Sequence, residues 1–144
     1  MGRQVTGSDS RPADMAVIIG RRETSANIAV YQILIVEDDA DVAQVLETLL
    51  GERHEVRVAG DGDEALACAV GFVPEVAIVD LGLPGMDGLQ VARRLRNLFG
   101  RSVRLIAFSG WRNVTEDQAT AAGFDVMLHK PASTERLLHA VEDR

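Results

Sequence analysis

Acidic residues follow two apolar runs of the sequence, at the points where strands would end. Asp80 comes directly after the run 76–79, and the triplet Glu37-Asp38-Asp39 comes directly after the run 33–36. Runs this apolar indicate strands buried on both faces, which belong to parallel sheets covered by helices. Open α/β sheets bind their ligands beyond the carboxyl ends of such strands. We therefore expect these acids to form a phosphate or metal site.

Asp38 and Asp80 need a positive partner if their carboxylates lie close together. At a separation of about 4 Å their repulsion is about 4 kcal/mol at an effective dielectric constant of about 20. A raised pKa, a nearby cation or a bound divalent metal offsets that repulsion. Among metals, Mg²⁺ suits a small set of oxygen ligands and works with phosphate. Asp39 and Asp41 have a simpler explanation, because acids are favoured at a helix N-terminus without any ligand.

Two further polar side chains follow later apolar runs. Lys130 precedes Pro131 and can reach the acids as a charge partner, and later hold a phosphoryl oxygen. Alone it would be an ordinary solvated lysine, but the acids opposite it favour the functional interpretation. Ser109 ends the run 103–108, and its hydroxyl could donate to a phosphoryl oxygen on Asp80. It could equally cap the next helix or turn, so both interpretations stay open.

The remaining polar candidates have structural explanations. Three histidines show no paired metal-ligand spacing and are interpreted as exposed or structural residues. Three arginines of one expected helix are interpreted as its solvated face, and the loop that follows Asp80 as packing and turn chemistry. The residues concerned are His54, His129, His139, Arg93, Arg94, Arg96, Leu83, Pro84, Met86 and Gly88.

The composition is that of one acidic α/β domain. The chain has 144 residues, 47% of them hydrophobic, and a net charge of −7. That charge argues against a surface for nucleic acid or for an anionic membrane. No run approaches the roughly 18 apolar residues of a membrane span, and the single Cys68 excludes an intrachain disulfide. We expect a cytoplasmic protein without direct nucleic-acid or membrane contacts.

Strand and helix patterns alternate five times after residue 30. The expected strands are 33–36, 56–59, 76–79, 103–108 and 126–128, and the expected helices are 40–50, 62–70, 87–98, 113–122 and 133–142. Alternating βα units with short connections predict right-handed crossovers and a parallel sheet. We expect a flavodoxin-like (βα)5 doubly wound sheet of order 2-1-3-4-5 in residues 31–144, with the polar second strand at an edge. Residues 1–30 lack periodicity and are interpreted as a flexible extension.

The motifs together resemble the receiver domain of two-component response regulators, over about residues 32–142. The supporting stretches are Ile33 to Asp39, Val79 to Gly88, Ser109-Gly110 and His129-Lys130-Pro131. The resemblance implies that Asp80 takes a phosphoryl group from a histidine kinase or a histidine phosphotransfer protein. It also implies that Ser109 hydrogen-bonds the phosphoryl group and that Lys130 pairs with it. The family's Lys-Pro bond is typically cis.

The resemblance further implies a Mg²⁺ site. Asp38 and Asp80 would bind the ion directly, the Gly82 carbonyl would be a third protein ligand, and Glu37 would act through a bound water. Such a domain is a switch rather than an enzyme, with at most self-phosphorylation and autodephosphorylation. Its output would pass to a downstream protein effector, and a phosphorylation-dependent homodimer is one open form of that output.

Two positions depart from the family pattern. Met127 stands where the family usually carries Tyr or Phe, and its soft thioether predicts weaker coupling between phosphorylation and the outer face of the fifth strand. Trp111 and Gly82 flank the route by which water reaches the aspartyl phosphate in the family. Gly82 leaves one side open and Trp111 could shield the other, so the lifetime of the phosphate stays open.

The same residues are compared with three functions other than a phosphorylation-controlled switch. An Asp-nucleophile phosphatase usually has a second aspartate two residues after the nucleophile, where this chain has Gly82. A flavin or nucleotide module needs a phosphate-cradling loop after the first strand, where the acidic triplet would repel an anion. A receiver-like interaction domain with weak or no phosphorylation-dependent switching stays open because of Met127.

Overall fold

The computed structural model describes residues 22–23, 29–110 and 113–143. Its contacts divide the chain into two units, Met1–Tyr31 and Gln32–Arg144. In the first unit, Arg22–Glu23 pairs with Ala29–Val30 as a short antiparallel ladder. The sequence did not predict these strands within the expected extension. The rest of that extension and Trp111 lie outside the described residues.

The second unit alternates five strands with five helices. Its elements are β1 Gln32–Val36, α1 Ala40–Gly51, β2 Glu55–Ala59, α2 Gly62–Gly71, β3 Val76–Val79, α3 Gly88–Phe99, a 3-10 turn Gly100–Ser102, β4 Arg104–Ser109, α4 Glu116–Ala122, β5 Val126–His129 and α5 Thr134–Glu142. The strands form one parallel sheet in the order β2-β1-β3-β4-β5. The predicted flavodoxin-like fold and strand order are therefore confirmed.

Burial follows strand position in the sheet. β3 is buried along its whole length, and β1 and β4 are buried at every residue after the first. β2 lies at an edge, as its alternating sequence predicted, and its Arg57 is exposed. The central strands carry the apolar runs because both of their faces lie under helices.

Alternation along the strands divides the core between the two faces of the sheet. Leu34, Ala77 and Leu105 belong to one buried cluster that also contains apolar residues of α2, α3 and α4. On the opposite face, α1 and α5 line a groove of about 330 Å³ whose floor includes Phe108. This groove is called the α1–α5 groove below. The sheet is thus covered on both sides, as a doubly wound fold requires.

Side-chain caps explain where the helices begin. Asp39, Asp61, Asp87, Thr115 and Ser133 each accept a hydrogen bond from a backbone N–H of the helix that follows. Asp39 therefore has the capping role that the sequence predicted. Helix α4 begins at Glu116 rather than at the expected residue 113, because Thr115 and Gln118 form a reciprocal capping box.

Arg96 differs from the solvated residue that the sequence predicted. Its guanidinium donates to the carbonyl oxygens of Gly100 and Val103, each at 2.7 Å, and to that of Gly123. It also pairs with Asp125 at 2.9 Å, and its side chain is only 18% exposed. Arg93 and Arg94 on the same helix are exposed, as expected. Of the three arginines in α3, Arg96 is the one that hydrogen-bonds the segments preceding β4 and β5.

The histidines are structural or exposed, as predicted. The side chain of His54 is fully buried, with Nε2 at 2.8 Å from Glu142 Oε2, whereas His129 and His139 are exposed. Within the part of the chain that the structure describes, no helix combines the length and the apolar character needed to cross a bilayer.

Candidate functional site

The carboxyl edge of the sheet brings the predicted acids together. The Asp80 N–H donates to the Val36 carbonyl and the Glu37 N–H to the Ala59 carbonyl, at 2.9 and 3.0 Å. Both residues therefore continue the strand pairing for one step beyond β3 and β1. Glu37 is 3% exposed and Asp80 is 9% exposed. Two carboxyl groups thus end adjacent strands at the point where the order of the sheet reverses.

Asp38 completes a cluster of three acids. One carboxylate oxygen from each of Glu37, Asp38 and Asp80 lies within 4.8 Å of the other two. Asp38 is exposed, so the cluster opens to solvent on its side. Gly82 contacts the cluster through its N–H, which donates to Asp80 Oδ1 at 3.0 Å. That hydrogen bond holds the Asp80 carboxylate in one orientation.

Lys130 reaches the cluster from the far end of the sequence. Its Nζ lies 2.6 Å from Glu37 Oε1 and 3.5 Å from Asp80 Oδ2. The Lys130–Pro131 peptide bond is cis, as the resemblance implied. Nζ also lies 5.6 Å from the centre of the Phe108 ring, a neighbour that the sequence did not suggest.

The charges of these groups depend on one another. Burial raises the pKa of Glu37, and the neighbouring Asp80 raises it further, against the opposing hydrogen bonds from Lys130 and from the Asp39 N–H. Burial also opposes ionisation of Asp80, but the Gly82 N–H, Glu37, Lys130 and Ser109 together lower its pKa. Burial disfavours the Lys130 cation, yet the hydrogen bond to Glu37 and the charge of Asp80 raise its pKa. An ionised Asp80 beside a charged Lys130 is the state these contacts favour.

Ser109 lies inside the cluster rather than at a helix cap. It is the last residue of β4, is 1% exposed, and its side chain hydrogen-bonds Asp80. Its carbonyl accepts the Lys130 N–H at 3.1 Å, which links the ends of β4 and β5. The structure therefore brings Ser109, Lys130 and Asp80 together. Of the two interpretations of Ser109, this position agrees with the one that directs its hydroxyl at Asp80.

Gly88 is a further neighbour of Asp80. The sequence predicted only a role in the turn for this residue. A Cβ at this position would lie 2.3 Å from the Asp80 carbonyl oxygen and 2.7 Å from Leu81 Cα. The Gly88 N–H points at the Leu81 carbonyl at 3.3 Å. The first residue of α3 thus packs directly on the backbone that carries Asp80. The motif Asp87-Gly88, a cap followed by a glycine, indicates the start of a helix but not the contact of Gly88 with Asp80.

The donor set fits a hard divalent cation. Its ligands are carboxylate oxygens, which Mg²⁺ prefers, and the exposed Asp38 leaves the cluster open to an ion with its waters. Glu37, Asp38 and Asp80 are the residues whose carboxylate oxygens could hold such an ion. With a nucleophilic carboxylate, a cation and a hydroxyl around one point, the edge can bind and accept a phosphoryl group.

Comparison with known proteins identifies the family of this chain. The family model described as the response regulator receiver domain matches residues 33–142. The two-component response regulator PhoP of Pseudomonas aeruginosa is 38% identical over 110 residues, which cover 74% of this chain and 48% of that protein. The DNA-binding response regulator MtrA of Mycolicibacterium paratuberculosis is 44% identical over 66 residues, covering 45% of this chain and 29% of that protein.

A solved structure agrees with the sequence comparisons. A putative response regulator from Chloroflexus aurantiacus superposes with a TM-score of 0.72 at 31% identity, covering 79% of this chain and 96% of that one. The curated relatives are longer proteins, and this chain spans about half or less of their length.

Proposed function

Since the chain belongs to the response regulator receiver domain family, we propose that it is a phosphorylation-controlled switch whose acceptor is Asp80. The donor is the phosphohistidine of a histidine kinase or of a histidine phosphotransfer protein. The observation that carries the proposal is the geometry of the carboxyl edge, where Lys130 lies 3.5 Å from Asp80 within the acid cluster.

In the transfer step, an Asp80 carboxylate oxygen attacks the phosphorus atom. The new bond to oxygen forms as the bond from phosphorus to the histidine nitrogen breaks, and the electron pair returns to the imidazole. The Gly82 N–H fixes the carboxylate, and the lowered pKa keeps it ionised and nucleophilic. Positioning and positive charge supply most of the catalysis in such transfers.

The metal ligands belong to the same proposal. Asp38 and Asp80 would hold Mg²⁺, with the Gly82 carbonyl as a third protein ligand and Glu37 acting through a bound water. When bound, the ion supplies positive charge to the phosphoryl oxygens. Lys130 supplies the second positive charge from its present place between Glu37 and Asp80.

The response to phosphorylation begins with two side chains. Lys130 exchanges part of its contact with Glu37 for a phosphoryl oxygen, and the Ser109 hydroxyl donates to another. A hydrogen bond to a charged group is worth about 1.5–3 kcal/mol. Inverting a two-state population from 1:99 to 99:1 takes about 5.5 kcal/mol. Two contacts near the upper end of that range, or three of about 2 kcal/mol each, therefore supply enough energy to drive the switch.

The output of the proposed switch is a protein contact. A downstream effector binds the domain in one state, or two phosphorylated copies form a homodimer. The net charge of −7 argues against direct binding of this chain to nucleic acid. The relative named as DNA-binding extends well beyond the part that matches this chain. We place the switch in the cytoplasm.

Small phosphoryl donors test the proposal directly. Incubation with phosphoramidate and Mg²⁺ should add one phosphoryl group to the wild type, as measured by intact mass. Asp80→Ala should remain unmodified, whereas Asp61→Asn should react like wild type, because Asp61 caps α2 and Asn replaces it well at an N-cap. An unmodified wild type, or equal modification of Asp80→Ala, would overturn the proposal.

A receiver-like interaction domain with weak switching is the second candidate. Met127, at the usual aromatic position, is partly buried and packs against the core cluster. For this second candidate, phosphorylation of Asp80 would leave the affinity for a partner or for a second copy almost unchanged.

A further inference from the structure

Phe108 occupies a specific place beside the site. It precedes Ser109 on β4, pairs with Leu128 of β5 and is 7% exposed. The Lys130 ammonium lies over its ring at 5.6 Å from the ring centre. A cation within about 6 Å of an aromatic centre is attracted by the face of the ring. The Lys130 side chain is 23% exposed, so this attraction is only partly weakened by water.

We propose that Phe108 is a positioning residue for Lys130, and this inference rests on the proposed function. A lysine side chain is a flexible stem with a point charge at its end, so its acceptors alone do not fix its path. Here Glu37 and Asp80 attract the ammonium at 2.6 and 3.5 Å, and the ring face provides a third surface. The ammonium passes from Glu37 to the Asp80 phosphoryl group along this face instead of turning out to solvent.

The alternative is that Phe108 only fills space. Its ring also lines the α1–α5 groove together with Pro131 and Leu49. If packing were its whole role, an aliphatic side chain of similar volume would serve about as well as the ring. The two roles differ in what they require, because an attraction for Lys130 requires an aromatic ring and packing does not.

Two substitutions separate these roles. Phe108→Leu keeps an apolar side chain without the ring, and Phe108→Tyr keeps the ring. With phosphoramidate at saturating Mg²⁺, Phe108→Leu should lower the phosphorylation rate about fivefold, and Phe108→Tyr should stay within about twofold of wild type. Leu49→Val changes the lining of the same groove but keeps Phe108, and this variant should react like wild type.

A spectroscopic measurement tests the contact without the reaction. The ring current at position 108 should shift the Lys130 Hε resonances upfield of those of a solvated lysine in wild type and in Phe108→Tyr. The shift should disappear in Phe108→Leu. The inference is wrong if Phe108→Tyr loses rate as Phe108→Leu does, or if the Hε resonances are the same in all three proteins. Failure of wild type to accept phosphate would instead overturn the proposed function, and the resonances would still report the contact.

Discussion

Glu37 is the most buried acid of the site and the nearest partner of Lys130. It is 3% exposed, and it also accepts the Asp39 N–H at 3.2 Å. Its burial raises its pKa, so its negative charge depends on a positive neighbour. In this structure Lys130 is that neighbour, at 2.6 Å. Glu37 thus keeps the lysine close to Asp80 until another negative group competes for it.

Replacing Glu37 by Gln should weaken Mg²⁺ binding by about tenfold, because residues that orient the ligands and waters of a metal contribute about 10–100-fold to its affinity. Isothermal titration with Mg²⁺ measures the effect. Asp41→Asn is the matched control, since Asp41 is an exposed acid on the first turn of α1. Equal affinities of Glu37→Gln and wild type would contradict the role of Glu37.

Much of the site could be predicted at the scale of residues. Parallel strands end at one edge, so the acids after β1 and β3 and the lysine after β5 were expected at the same edge of the sheet. The contacts of Phe108 and Gly88 could not be predicted in this way. They depend on distances of a few ångströms between chain segments, which a pattern of apolar and polar residues does not contain.

At the scale of elements, the start of α3 fixes the backbone on which the chemistry depends. Gly88 is buried and lies against the Asp80 carbonyl, and Asp87 caps the helix by accepting the Gln90 N–H at 2.9 Å. A side chain at 88 would have to displace backbone atoms, which cannot turn aside as a flexible side chain does. The absence of a Cβ at 88 therefore sets the distance between α3 and β3.

Gly88→Ala should destabilise the protein by about 1–3 kcal/mol, the usual cost of overpacking a buried site. Urea unfolding measures this change. The control is Gly71→Ala, at the last residue of α2, where nothing lies within 4 Å of an added Cβ. That control should be neutral or slightly stabilising, because Ala favours a helix over Gly. Equal stabilities of Gly88→Ala and wild type would show that the backbone accommodates the added methyl group without a loss of unfolding free energy.

Met127 of β5 is the residue expected to weaken the coupling between phosphorylation of Asp80 and the outer face of that strand. It pairs with Ala107 in the sheet, two residues before Ser109. Met127→Tyr should increase the effect of phosphorylation on self-association by about fivefold, since a rigid ring couples two packing states more strongly than a thioether. Analytical ultracentrifugation with and without beryllofluoride measures the effect. The same response in both proteins would refute the weak coupling predicted for Met127.

The element boundaries show where sequence patterns were sufficient. Sequence patterns located all five strands of the parallel sheet. Apolar runs indicated β1, β3 and β4, because burial on both faces requires them, and the alternating pattern indicated the edge strand β2. The start of α4 was misplaced by three residues, although Thr115 and Gln118 carry the capping-box signature. Arg96 was misjudged for a different reason. Helical periodicity places it among polar residues, but three of its acceptors are backbone carbonyls, which no side-chain pattern reveals.

At the scale of the whole molecule, the two edges of the sheet are built differently. The carboxyl edge carries the reactive groups. The opposite edge is tied together by Arg96 and by Asp125, which also accepts the Leu105 N–H at 2.9 Å. We therefore expect the proposed phosphorylation to move loops at the carboxyl edge only, because the contacts of Arg96 and Asp125 hold the opposite edge.

Arg96→Met should lower the free energy of unfolding by about 2–4 kcal/mol, because it removes the charged donor of three backbone carbonyls and the 2.9 Å partner of Asp125. Arg93→Met, on the exposed face of the same helix, should change it by less than about 0.5 kcal/mol. Urea unfolding of both variants measures the difference. Similar losses in the two would mean that the Arg96 contacts do not stabilise the fold.

The contact between Lys130 and Glu37 also has a consequence for folding. It joins residues 93 positions apart in the sequence, one after the first strand of the sheet and one after the last. Contacts of such high sequence separation require loop closure across most of the chain and form slowly. During synthesis, Glu37, Asp38 and Asp80 emerge before Lys130, so an incomplete chain carries the acceptor without its cation. Competence to be phosphorylated should therefore appear only when the last βα unit has joined the sheet.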